Sequence, residues 1–329
     1  MPSRRIEQQI ESLKSLRAGG ATEAAEIALR RALKDRVNVV VAKAASVTAE
    51  LEILPLLPDL CAAFERMFRK PVETDPQCWA KNALSIALKH LGYAESEPFL
   101  KGLQHVQMEA VWGGQEDTAT TLRGTCVLAL VQTVDLSRRE TLRYLVRGLT
   151  DSPNVRLDAV RALEQMDGDE AALLLRLKAR MGDNQIAVTG QVFDSLLRLE
   201  GDEAVSFVAE FLASGDCELR EEAALSLGTS RLTAAISTLQ AAWEKAHETE
   251  LRATILRGLS ASRQEAALDF LLATLRQARQ RDALNALTAL ELHRENNELR
   301  SRIVEAIEIR GDELVKRRFL ERFIAISDA

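Results

Sequence analysis

The chain has 329 residues, 47% hydrophobic but only 4% aromatic, a composition that supplies a core, leans towards helices and leaves little for strands. Its net charge of −6, from 43 basic and 49 acidic residues, disfavours nucleic acid as the main partner. Cys61, Cys78, Cys126 and Cys217 form no CxxC pair and read as reduced core thiols rather than a disulfide frame or zinc site, and no long uncharged apolar run exists to cross a membrane.

The N-terminal segment, MPSRRIEQQIESLKSL, lacks a signal-peptide apolar run, so a soluble cytoplasmic protein is expected. Ile6, Ile10 and Leu13 mark a first helix that Gly19 and Gly20 end. It has no partner before it and reads as an N-terminal capping helix over 1–20.

From Ala21 the pattern predicts helices in pairs, a first helix (A) and a second (B). The A helices are predicted at 21–35, 55–69, 97–108, 138–149, 170–180, 203–213, 233–246 and 265–278. The B helices align on nine-residue cores beginning at Val39, Ala80, Leu122, Val155, Gln191, Leu219, Leu251 and Asp282. The steps between them are 41, 42, 33, 36, 28, 32 and 31 residues, the period of stacked helix pairs. The ninth position is Leu in seven cores and Val47 in the other. The eighth is small in seven: Ser46, Ala87, Ala129, Ala162, Ser226, Gly258 and Ala289. A small residue beside a large one lets neighbouring helices interlock. Arg198 is the exception, and the fifth core fits least well.

The clearest unit is Asp151–Ala172, DSPNVRLDAVRALEQMDGDEAA. Turn formers precede an amphipathic helix, Gly168 ends it, and Asp169 and Glu170 open the next helix with charge suited to its N-terminus. The tail 297–329 supplies two more helices broken at Gly311 and Asp312, with the mixed charge of a C-terminal cap. The whole, 1–329, is expected to be a single α-solenoid domain with repeats over 21–296.

The pattern turn-x-Val-Arg-x-x-Ala-x-x-Ala-Leu-x-x-x-Gly-Asp-x-x-Ala, best kept at Val155–Ala171, resembles the HEAT-like repeat of the phycobilisome-lyase type. Weaker copies begin at Leu122, Leu219 and Leu251. The resemblance covers about 118–290 and implies an all-α, right-handed α-solenoid of about eight helix pairs, with B helices lining the concave side. The same repeat serves many unrelated proteins, so it does not specify a reaction.

Three features are candidates for function. The second core residue is Lys81, Arg123, Arg156, Arg220 and Arg252 in five units, which predicts a ladder of cations. Asp117, Asp151, Asp216 and Glu248 stand four to six residues before the arginines, so a structural ladder is preferred to a basic strip that binds an acidic partner or a nucleic-acid backbone. Two consecutive A–B turns are long, KPVETDPQ over 70–77 and EAVWGGQEDT over 109–118, and should lie side by side on one edge. Trp112, flanked by Gly113, Gly114 and Gln115, either folds back or anchors a partner. Trp79, Glu73 and Asp75 belong to the same candidate partner-binding edge. Third, His90, His105, His247 and His293 form only one His-Glu pair, His247-Glu248. Deoxyhypusine hydroxylases, which resemble this repeat class, use several such pairs to hold iron. No HExxH, Walker or GxSxG motif occurs either.

A non-catalytic scaffold is therefore expected, without catalytic residues, cofactor or metal. It would bind a protein partner through the concave B-helix face or the long-turn edge. Nothing in the sequence specifies a small-molecule ligand. The alternative is an enzyme or enzyme accessory, bilin-lyase-like or alkylpurine-glycosylase-like with nucleic-acid binding.

Overall fold

The computed structural model describes residues 2–324. It is an all-α solenoid fold with one small β-hairpin, and the chain divides into two compact units, 1–166 and 167–329. The last five residues of the predicted C-terminal cap, 325–329, lie outside the described residues.

Unit 1 comprises α1 (Pro2–Gly19), α2 (Glu23–Ala32), α3 (Asn38–Glu50), α4 (Leu57–Met67), the short α5 (Pro71–Thr74), α6 (Trp79–His90) and α7 (Glu97–Leu103). There follow β1 (Met108–Val111), β2 (Gly114–Asp117), α8 (Thr120–Ala129), α9 (Arg138–Gly148) and α10 (Pro153–Met166). The B helices pack in succession, α1 on α3, α3 on α6, α6 on α8 and α8 on α10. α2, α4, α7 and α9 form the second layer. Unit 2 repeats the scheme with α11 (Gly168–Met181), α12 (Ile186–Glu200), α13 (Asp202–Ala209), α14 (Cys217–Thr229) and α15 (Thr233–Lys245). It continues through α16 (Thr249–Ala261), α17 (Glu265–Gln277), α18 (Gln280–Leu290), α19 (Asn297–Arg310) and α20 (Glu313–Phe319). Here α12, α14, α16 and α18 are the inner row, and α19 and α20 extend the two layers as one further pair.

The buried positions settle the repeat register. In α10 the first, fifth, sixth, eighth and ninth core residues, Val155, Ala159, Val160, Ala162 and Leu163, are buried. In α12 the same pattern falls on Val188, Val192, Phe193, Ser195 and Leu196. The fifth core is thus Val188–Leu196, three residues earlier than the alignment expects. Ser195 is its small residue, and Arg198 lies outside the core, exposed. In α3 the pattern begins at Val40, one residue late.

Small residues set the closest approaches. A Cβ on Gly228 of α14 would stand 1.9 Å from the carbonyl oxygen of Gly258 on α16. A Cβ on Gly258 would stand 2.3 Å from the carbonyl oxygen of Ala224. The two backbones are in direct contact there.

The region expected to continue as helix to Met108 does not. α7 stops at Leu103, and Met108–Asp117 forms an antiparallel hairpin with Met108 opposite Asp117 and Val111 opposite Gly114. Its two-residue loop is Trp112-Gly113, with Gly113 at φ +92°. Glycine reaches that conformation without the Cβ clash other residues meet.

Candidate functional site

The two long turns of unit 1 are bonded directly to each other. Asp75 is fully buried, and its carboxylate accepts from the backbone N–H of Ala80 at 2.8 Å and of Lys81 at 2.9 Å, capping α6. It also accepts from Asn38 Nδ2 at 2.9 Å and pairs with the equally buried Lys81 ammonium at 3.1 Å. Lys81 further donates to the carbonyl of Met67 at 3.3 Å. Asp75 therefore belongs to the interior of the edge.

The chain between Asp75 and α6 is strained. Gln77 and Cys78 both take left-handed conformations, φ 59° and 53°. For L-residues each costs roughly 1–2 kcal/mol. The contacts on either side hold them there. Gln77 N–H donates to Glu109 Oε1 of the hairpin at 2.6 Å. Gln107 Nε2 donates to the Asp75 carbonyl at 2.9 Å and to Glu109 Oε1 at 2.7 Å. Thr118 donates to the same Glu109 oxygen at 2.7 Å. Burial pushes the Glu109 carboxyl up, but these three hydrogen bonds outweigh it and hold its pKa below the usual range. Burial raises the Cys78 thiol to about 11, which makes it a packed thiol rather than a nucleophile.

On this fixed base, Trp112 at the hairpin tip is fully exposed, 104% of its reference area. Val111 next to it is also exposed, as are Met108 at the hairpin's base and Val106 just before it. Gln115 is exposed on β2, and Glu73 is exposed and pairs with Lys70 at 3.3 Å. Trp79 opens α6, half exposed, and lines a groove of about 620 Å³ between α3 and α6 with Ala42, Ser46, Ala83, Ile86 and His90. Sequence reasoning singled out Trp112 and Trp79. It missed Gln107, Thr118 and Ile86, whose roles depend on the hairpin and groove.

The ladder cations are engaged, but mostly with the acid of the following turn. Arg123 bonds Asp117 at 2.7 Å and grips Asp151 with two bonds of 2.8 Å. Arg156 donates to the backbone carbonyl of Asp151 at 2.7 Å. In unit 2, Arg220 pairs with Glu248 at 2.7 Å, while Asp216 instead caps α14. Arg252 grips Asp282 with two bonds of 3.0 Å and lies 3.6 Å above the Trp243 ring. Each of Arg123, Arg220 and Arg252 thus joins one repeat to the next.

A second recurrence was not legible in the sequence. A Cβ on Gly124 would stand 2.3 Å from Asp158 of the next B helix, and one on Gly190 would stand 2.2 Å from Glu222. The carboxylates lie over the glycines. Burial, and then the charges of Asp194 and Glu221, raise the pKa of Glu222. The folded state therefore favours the protonated acid, and its contribution to stability falls as pH rises through the raised value. Glu222→Gln should raise the thermal midpoint at about pH 7 and leave it unchanged at about pH 3, where the carboxyl is protonated in both states. A denaturation series across that range checks the sign.

The histidines are dispersed. His90 lines the groove, His105 contacts Gln107 at 3.1 Å, and His293 contacts the Ser260 carbonyl at 3.0 Å. Among the described residues, no three His, Cys, Asp or Glu side chains converge to hold a metal. No described helix is long and apolar enough to cross a membrane.

Residues 204–281 match the family model for HEAT repeats. No curated protein sequence matches the chain. Among solved structures, human deoxyhypusine hydroxylase in complex with glycerol is similar at 18% identity, over 87% of this chain and 90% of that one, with a TM-score of 0.28. An engineered protein is similar at 15% identity, over 90% and 84%, with a TM-score of 0.35. The CpcE–CpcF complex of phycocyanin lyase from Nostoc sp. is similar at 18% identity, over 80% and 94%, with a TM-score of 0.32. These likenesses are too distant to carry function. Residues 204–281 are HEAT-like repeats, and the helix pairs outside that span pack by the same scheme within each unit.

Proposed function

We propose that this HEAT-like repeat protein is a non-catalytic, cytoplasmic scaffold that binds a protein partner through the long-turn edge of unit 1. One observation carries the reading. Trp112 is fully exposed at the tip of a hairpin whose base is fastened to the preceding turn by buried and charge-assisted bonds. A tryptophan that touches nothing adds nothing to the fold, and on a fixed support it can enter a partner's pocket with little loss of freedom. Val111, next to Trp112 on β1, extends the apolar contact, and Gly113, Gly114 and Gln115, with Glu73 on the neighbouring turn, supply polar and backbone groups. Arg123, Arg220 and Arg252 are fasteners between repeats in this reading, because their charge is already matched.

Trp112→Ala should leave stability within about 0.5 kcal/mol of wild type. It should weaken partner binding by about 2 kcal/mol or more, the loss typical of a central aromatic anchor. Affinity capture from the native host with both proteins reads this out. Loss of a specific captured protein supports the assignment, and an identical captured set removes Trp112 from it.

A further inference from the structure

The groove between α3 and α6 is an unfilled seam of the inner row of unit 1. In α8 and α12 the third core residue is a glycine, and the fourth core residue of the next B helix, Asp158 or Glu222, lies over it. At α3 and α6 the same two positions are Ala42 and Ala83, and both line the groove of about 620 Å³. Ala49 and Ala87 continue the small lining, and Trp79 and Ile86 add half-exposed apolar side chains to it. The missing side chain leaves an apolar trough where the other seams are closed.

The rim carries unmatched positive charge. Glu50, the carboxylate among the lining residues, is paired with Arg17 of α1, and Lys14 of α1 is paired with Glu11 at 3.2 Å. Lys43, next to Ala42 on α3, is half-buried among these groups. Burial, and then the charge of Arg17, lower its pKa, as expected of an ammonium short of a counterion. On α6, Lys89 precedes His90, which lines the groove. The acid whose charge reaches Lys89 is Asp158 of α10, and that acid is paired with Arg161 at 3.3 Å. Neither Lys43 nor Lys89 forms an ion pair among the described residues.

The walls also decide the conformation of an occupant. α3 and α6 use their backbone N–H and C=O groups within their own helices, so an extended segment would bury unpaired backbone groups here, whereas a helix satisfies its own. The lining stretches, 42–50 and 79–90, are roughly 12–17 Å long, about two to three helical turns.

We infer that this groove docks a short acidic amphipathic helix of a partner protein, with apolar side chains set against Trp79, Ile86 and the alanines and carboxylates beside Lys43 and Lys89. Trp112 is not among the lining residues, so the surface is independent of the hairpin.

Display selection of random peptides about 14 residues long against the full chain, run in parallel against Ala83→Gln, tests this. The glutamine fills the seam from within, as Asp158 and Glu222 do at theirs. Peptides retained by wild type and lost on Ala83→Gln are expected, with apolar residues three and four apart and Asp or Glu between them. In fluorescence anisotropy, Ile86→Ser should weaken their binding about tenfold or more. Lys43→Gln/Lys89→Gln should weaken it at low salt and have little effect at high salt. Trp112→Ala should bind these peptides as wild type does, so failure of the hairpin reading leaves this one standing. Ile86 is half-exposed, so Ile86→Ser should keep its helical circular dichroism, and it replaces Ala83→Gln in the selection if that variant unfolds. No peptide that separates wild type from the groove variant, separated peptides without acidic residues or helical spacing, or binding indifferent to the two lysines overturns the inference.

Discussion

Asp75→Ala is expected to destabilise unit 1 by about 3–5 kcal/mol, the loss seen when one member of a buried ion pair is removed. The physical reason is the ammonium left behind. Lys81 is as buried as Asp75, and after the substitution its remaining hydrogen-bond partner is the Met67 carbonyl. Two N–H groups at the start of α6 lose their acceptor as well, and Asn38 Nδ2 is left with the Pro76 carbonyl alone. The strained Gln77-Cys78 segment loses the anchor that precedes it. At about 2–4 °C per kcal/mol for a unit of this size, the midpoint should fall by roughly 10 °C. The double variant Asp75→Asn/Lys81→Met should recover part of the loss, since it removes the stranded charge. If Asp75→Ala alone unfolds like wild type, the ion pair is not what fixes the turn.

Gly228→Ala is the second large effect, and it arises from one methyl group. The added Cβ would meet the Gly258 carbonyl oxygen at 1.9 Å and its carbon at 2.6 Å, and these are backbone atoms of α16. Flexible side chains can turn away from such a clash, but a helix backbone must move as a whole. The expected loss is about 3 kcal/mol, the upper part of the range for overpacking. Alanine's better helix propensity, worth about 1 kcal/mol over glycine, offsets only part of the clash. Gly215→Ala, in the same unit with no atom within 4 Å of its Cβ, should stay within about 0.5 kcal/mol of wild type. Chemical denaturation of both variants measures the difference. Equal stability would mean that α14 and α16 can separate without cost.

The fold was largely legible because a repeat states its own packing many times. Leu at the ninth core position beside a small eighth residue marks the buried face of α6, α8, α10, α14, α16 and α18. The fifth core was misplaced because Leu199 offered a plausible ninth position, and only burial identifies Ser195 and Leu196 as the true pair. The hairpin was not foreseen. Its strands carry Glu109, Gln115, Glu116 and Asp117 in place of an alternating apolar face, and its turn is Trp-Gly rather than the more telling Asn-Gly or Asp-Gly. The acids of the ladder were visible, but not which arginine each serves. Spacing along the chain favours the nearest partner, whereas stacking brings Arg220 to Glu248 and Arg252 to Asp282 across repeats. Asp75 looked like a surface turn residue because sequence alone does not reveal that Lys81 is buried behind it.

The proposed protein-binding edge is tested most directly by placing a photoreactive phenylalanine analogue at position 112 and irradiating the protein in its native host. The same analogue at position 177, exposed on α11 of unit 2, serves as the control. A discrete adduct from position 112 that is missing from position 177 is the predicted result. No adduct at 112, or the same adducts from both positions, would contradict a partner-binding role for the hairpin.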